Sequence, residues 1–151
     1  MKKQYLNPEA VFEPRFFTHT VAVTGPAKLV YVSGQVSYDR DGNVVGKGDM
    51  AAQTYQVFRS IAANLAAAGA TWRDVVKLNG YMVNLNPDAL RAYRETRERF
   101  LDAAALPAST LVGVERLVHD DLLLEVEAVA VVAAKPRTAR AAKKPAKRKK
   151  R

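Results

Sequence analysis

Residues 122–133 read LLLEVEAVAVVA and place two carboxylates, Glu125 and Glu127, inside the most apolar run of the chain. In an extended strand, residues i and i+2 share a face about 6.6 Å apart. Leu124, Val126 and Ala128 then take the other face. A carboxylate held in a partly apolar cleft has its pKa raised and can exchange protons near neutral pH. A solvent-facing edge strand explains the same pair without chemistry; the apolar flanks favour the cleft, and spacing alone does not decide. A second candidate is LPASTLV at 106–112, a helix-to-strand turn that presents Ser109 and Thr110. No histidine is near in sequence and no G-x-S-x-G elbow surrounds Ser109, which argues against a serine hydrolase. Small residues opening a strand account for the turn equally well. In VSGQ at 32–35, Ser33 and Gly34 could bring backbone N–H groups close to a small anion, or simply end a strand. His19, in FTHT at 17–20, is a lone histidine and is more often structural than catalytic.

These groups sit in a chain of 151 residues, one domain's length. Its net charge of +9 suggests a nucleic-acid binder until the chain is divided. Residues 135–151 hold ten basic groups and no acid, leaving 14 basic against 15 acidic in residues 1–134. With no cysteine, a disulfide framework, a thiolate zinc site and a cysteine nucleophile are excluded. His19 and His119 are too far apart in sequence to show ligand spacing, so no metal is expected. No run is long enough to span a bilayer, and no apolar segment follows the N-terminal lysines. The expectation is a soluble cytoplasmic protein.

The elements that must position the candidates follow from periodicity. Residues 21–24 and 29–33 read as a strand pair punctuated by Gly25 and Pro26. The turn at 41–43 leads to a third short strand at Val44 and Val45, while residues 1–20 show no sustained period. Asp49 opens a helix with Ala51, Tyr55, Phe58, Ile61, Ala62 and Leu65 at three- and four-residue spacing, and Gly69 ends it. Residues 75–85 read as a strand, with Val76, Leu78, Gly80 and Met82 on one face and Lys77, Asn79, Tyr81 and Val83 on the other. Asn86 and Pro87 start a second helix running to about Leu101. Leu90, Tyr93, Arg97 and Phe100 lie on one of its stripes. Strands at 110–117 and 122–133 close the domain. The order β-β-β-α-β-α-β-β implies an α+β domain with two helices on one face of a mixed sheet. The uncovered sheet face predicts a homo-oligomer. Residues 135–151 lack large apolar side chains and are expected to be disordered.

Taken in order, VYVSGQVSYDRDGNVVGKGD, QTYQVFRSIAANLAAAGATWRDVVKLNGYMVNL, LPASTLVGVERL and LLLEVEAVAVV resemble the Rid (reactive intermediate deaminase) family, whose members also carry endoribonuclease L-PSP names. The match covers about residues 15–133, which makes residues 1–134 a Rid-like domain and 135–151 a basic tail. The resemblance implies a chorismate-mutase-like fold and a homotrimer with clefts between subunits. It also implies hydrolysis of enamines or imines such as 2-aminoacrylate, releasing ammonia without metal or cofactor. In deaminating members an arginine after the Pro-Ala of the turn binds the substrate carboxylate, and the first glutamate of the last strand positions a water.

The glutamate is kept here as Glu125; the arginine position is Ser109. Serine offers neither a fixed charge nor a bidentate fork, so the chain resembles an arginine-lacking subgroup with weakened recognition of carboxylate-bearing imines. The family's aromatic falls on Phe17, followed by His19, and Tyr93 stands where deaminating members often carry Asn. With Ser33, Gly34, Ser109 and Glu125 these would line a less cationic, more aromatic cleft suited to a neutral or bulkier substrate.

Three functions compete. The first is a metal-independent imine or enamine deaminase in which Glu125 activates water and Ser109, Ser33 or the Gly34 amide holds the substrate. The second is a non-catalytic metabolite-binding or regulatory trimer. The third is non-specific nucleic-acid binding through the tail, which lacks aromatics for base stacking.

Overall fold

The computed structural model describes residues 1–134; the basic tail, with its expected disorder, lies outside the described residues. Six strands and two helices follow in the order β1 (Lys2–Leu6), β2 (Thr20–Thr24), β3 (Ala27–Gln35), α1 (Met50–Ala67), β4 (Val75–Val83), α2 (Pro87–Arg97), β5 (Ala108–Val114) and β6 (Leu124–Ala133). The element order matches the α+β expectation, with β2 and β3 where the strands at 21–24 and 29–33 were expected, but one of the first three strands is not the one anticipated. β1 lies in a segment without apolar period and pairs with β2 as a separate antiparallel ribbon. Val44 makes only an isolated bridge to Tyr38 in place of a third strand. β2 and β3 flank Gly25 and Pro26 but do not pair; β3 pairs with β6 instead.

The main sheet has the order β3-β6-β4-β5, with β4 and β5 parallel and the other pairs antiparallel. β6, the most apolar strand, is an interior one, hydrogen-bonded to β3 on one side and β4 on the other. Its alternation is strict at the start: Leu124, Val126 and Ala128 are buried in the core, whereas Glu125 and Glu127 point to the opposite face. β4 departs from simple alternation. A bulge between Val75 and Lys77 makes Val75 the buried residue, correcting the expectation for Val76.

Both helices cover the core face. Asp49 caps α1 by accepting from the Ala52 N–H at 3.0 Å, and Gly69 leaves the helix at φ +68°. Asn86 accepts from the N–H groups of Asp88 and Ala89, each at 3.0 Å, and Pro87 fills the first turn of α2. α2 stops at Arg97, four residues before the expected end. There the chain tightens through bonds from Arg99 N–H to Thr96 and from Phe100 N–H to Arg97. Phe58 from α1 anchors the packing. Its ring stacks on Trp72 at 5.0 Å and meets Phe100 and Tyr93 at 5.4 and 6.2 Å.

Candidate functional site

The face of the sheet turned away from the helices has a polar centre between apolar margins. Leu29 and Tyr31 on β3 are 56% and 73% exposed, and Val112 on β5 is 42% exposed. Between them, β4 contributes Lys77, Asn79 and Tyr81, and β6 contributes Glu125 and Glu127. The register sets Asn79 opposite Glu127 and Tyr81 opposite Glu125.

The two carboxylates differ in their engagement. Glu127 Oε1 accepts from Asn79 Nδ2 at 2.6 Å and from the Tyr81 hydroxyl at 3.3 Å. Among the described residues, nothing donates a hydrogen bond to the Glu125 carboxylate and no cation pairs with it. The charge of Glu127, then desolvation, the hydrogen bond to Glu127 and the charge of Glu125 raise the pKa of the Tyr81 phenol. Tyr81 therefore stays a neutral donor through the physiological range. Lys77 reaches across to β5, donating to Thr110 Oγ1 at 2.7 Å.

β3 reaches this centre through an irregularity. Its pairing with β6 shifts between Val32 and Gln35, so Ser33 and Gly34 have no partner residue on β6. Gln35 Nε2 holds the loop by donating to the carbonyls of Ser33 and Gly34 at 3.1 and 3.2 Å. Gly34 then lies directly against Glu125, and a β-carbon at Gly34 would overlap the carboxylate. A groove of about 460 Å³ includes Tyr31, Ser33, Lys77, Asn79 and Glu127 in its walls.

Of the residues singled out by sequence, Ser33, Gly34 and Glu125 share this face. Ser109 does not. It pairs in parallel register with Leu78, a fully buried core residue, so it lies on the helix side of β5. Tyr93 is 2% exposed within the core, and burial raises the pKa of its phenol. Its position follows from the apolar stripe of α2, whose inward side carries it beneath Gly80. Phe17 and His19 form their own cluster with Phe12, the His19 ring lying 5.3 Å from Phe17 and 5.0 Å from Phe12. His19 Nε2 is 2.8 Å from the Phe12 carbonyl. The neighbouring Thr18 N–H donates to the Pro107 carbonyl at 3.2 Å, tying this segment to the turn before Ser109.

Asn79 and Tyr81 are the site residues that sequence reasoning missed. Their placement opposite the glutamates was the available signal, because the alternation of β4 already put them together on the face away from the core. Among the described residues, no group of three His, Cys, Asp or Glu side chains could hold a metal. No helix among them is long and apolar enough to cross a membrane.

Comparison with known proteins agrees with this architecture. Residues 14–132 match the family described as Endoribonuclease L-PSP. A RutC family protein of Pyrococcus abyssi is 38% identical over 102 residues, covering 68% of this chain and 77% of that protein. A 2-iminobutanoate/2-iminopropanoate deaminase of Dermatophagoides farinae is 30% identical over 103 residues, with coverages of 68% and 77%. The crystal structure of the Rid family protein YyfB from Yersinia pestis superposes with a TM-score of 0.79 at 36% identity, covering 87% of this chain and all of that one. With the family match over most of the chain, these relatives and the shared fold, the chain belongs to the Endoribonuclease L-PSP family, the RutC and Rid proteins.

Proposed function

We propose that the protein hydrolyses an imine or enamine, releasing ammonia, with Glu125 as the general base. The observation that carries this reading is the contrast between the two glutamates. Glu127 is held by Asn79 and Tyr81, whereas Glu125 rests against Gly34 with its carboxylate unengaged among the described residues. The missing β-carbon at Gly34 makes the room that the Glu125 carboxylate itself fills, and leaves its oxygens without a protein partner among the described residues, free to take a proton from water.

In the proposed step, Glu125 takes a proton from water as the oxygen adds to the C=N carbon. With the imine nitrogen protonated at the outset, this gives a neutral carbinolamine. Glu125 returns its proton to the amine nitrogen, and the C–N bond breaks to release ammonia as C=O forms. The hydroxyl proton passes to the departing ammonia, leaving a carbonyl compound and ammonium. An enamine first moves a proton from nitrogen to carbon to become the imine. Ser33, next in sequence to the Gly34 that contacts Glu125, lines the adjoining groove with Glu127 and is the hydroxyl proposed to orient the substrate. Ser109, on the other side of its strand, does not meet Glu125 within a protomer.

The exposed Leu29, Tyr31 and Val112 around the polar centre support assembly through this face. We propose a homotrimer whose subunit contacts close the groove into clefts. The position of Ser109 leaves the substrate carboxylate without the arginine clamp, so neutral or bulkier imines are the favoured class.

The test is ammonia release from freshly generated 2-aminoacrylate and a panel of bulkier imines, comparing the wild type with Glu125→Gln. Positioned proton transfer contributes typically about 10²–10⁴-fold, so the variant should lose at least about a hundredfold while remaining folded. Turnover unaffected by the substitution would remove Glu125 from the chemistry. A folded protein that binds panel members without product would instead favour the metabolite-binding reading.

A further inference from the structure

On the helix side of the sheet, the end of α2 and the chain leading to β5 border a partly enclosed cavity of about 180 Å³. Phe16, Leu101 and Leu106 line it together with Arg15, Arg97 and Glu98. Arg97 is the unusual member. It is 5% exposed, and its Nη2 is sequestered without a hydrogen-bond partner among the described residues. No ion pair among those residues engages its guanidinium. Glu98 shares the cavity wall without pairing to it.

A guanidinium cannot shed its charge inside a protein. Burying one without a counter-charge is costly unless something supplies the missing acceptors. The face of Tyr93, 5.5 Å from the Arg97 guanidinium carbon, gives only partial compensation. Arg94 lies 4.2 Å above the Phe16 ring, adding a second cation beside the apolar wall. The cavity therefore combines apolar lining with one buried guanidinium whose Nη2 lacks an acceptor among the described residues. Its chemical complement is an anion with two acceptor oxygens and a compact apolar body.

We propose that this cavity binds a small monocarboxylate, its two oxygens on Arg97 and its apolar body against Phe16, Leu101 and Leu106. A single guanidinium matches one carboxylate in bidentate geometry. The Glu98 carboxylate in the same wall disfavours a dianion such as phosphate. A cavity of about 150 Å³ accommodates benzene, so this one has room for an acid of six to eight heavy atoms. The site is separate from the Glu125 face, because α2 packs on the other side of the sheet.

The probe is 3,3-dimethylbutanoate, whose tert-butyl signal reports contact by saturation-transfer NMR on the full chain. Saturable binding is expected, with the neutral 3,3-dimethylbutanamide about tenfold or more weaker, the usual effect of losing a charge-assisted hydrogen bond. Arg97→Met should abolish the preference for acid over amide, and Leu106→Trp should block both ligands. Glu125→Gln should bind as the wild type does, which separates this site from the deaminase reading. The wild-type comparison of acid with amide decides the matter even where a variant does not fold. Absence of saturable binding, equal affinity for acid and amide, or binding unchanged in both cavity variants would overturn the proposal.

Discussion

Gly34 and Glu125 are packed so closely that a β-carbon at position 34 would occupy the space of the Glu125 carboxylate. The backbone at Gly34 is not in the left-handed region, so its glycine answers to this contact and not to a turn. Gly34→Ala tests the relationship. The clash falls on the far end of a flexible side chain, which can rotate at a cost of about 0.5–1.5 kcal/mol. Replacing glycine by alanine on ordinary backbone offsets this by about 0.4–1 kcal/mol through the unfolded state. Thermal denaturation should therefore change little, while ammonia release falls at least about tenfold because the carboxylate is displaced, positioned acid–base catalysis being this sensitive to placement. Full activity in a folded Gly34→Ala protein would show that the position of Glu125 is unimportant.

The Tyr81 phenol reports on the charge of Glu127. That charge is the largest cause of its raised pKa, ahead of desolvation and the hydrogen bond between them. Glu127→Gln should move the phenol downward toward its ordinary value, read as an earlier phenolate absorbance change on alkaline titration, with Tyr81→Phe identifying the signal. The linkage has a definite sign. A phenol raised in the folded state contributes stability below its unfolded pKa and loses that contribution as pH rises through its folded pKa. The wild type should thus lose more stability than Glu127→Gln over that alkaline interval.

Gln53 holds the turn before β6 from inside α1. Fully buried, it donates to the carbonyls of Asp121 at 2.7 Å and Gly46 at 3.2 Å, and accepts from the Leu123 N–H at 2.8 Å. This is how a polar residue in the core fixes where the glutamate-bearing strand begins. Gln53→Leu keeps the volume and removes all three bonds. The loss should be about 2–3 kcal/mol, the cost of leaving buried backbone groups unpaired, measured by urea denaturation.

Much of this was legible in the chain because each signal was local. The 2-residue alternation of β6 fixed the shared face of Glu125 and Glu127, and Asp49, Gly69 and Asn86 marked helix ends through their own capping chemistry. The face of Ser109 was not legible, because it depends on how β5 registers against β4, a parallel pairing made across a helix. The bulge that exchanges Val76 for Val75 is likewise a property of two strands together. β1 carries its polar alternation onto a ribbon outside the main sheet, where the core imposes no apolar pattern. Arg97 was visible on the stripe with Leu90, Tyr93 and Phe100, but a long basic side chain on such a stripe ordinarily reaches out to water. Here its burial is set by the chain folded over the end of α2.

The ten cations of residues 135–151 predict non-specific attraction to nucleic acid. Binding to single-stranded RNA should weaken steeply with salt, with a log–log slope of at most about −7 if all ten contact phosphate. Truncation after Ala134 should abolish it, measured by fluorescence anisotropy. Persistent binding by the truncated chain would assign an RNA surface to the folded body, whose sequence carries a net charge near neutrality.

The central claim is that two neighbouring glutamates on one sheet face do different work. Its most direct test is the rate of ammonia release by Glu125→Gln and Glu127→Gln, measured side by side on a substrate turned over by the wild type. Glutamine at 127 can still accept from Asn79 and Tyr81, so that variant should stay within about tenfold of the wild type, whereas Glu125→Gln should lose about a hundredfold or more. Equal losses in the two folded variants, or a greater loss at Glu127, would contradict the assignment of Glu125 as the base.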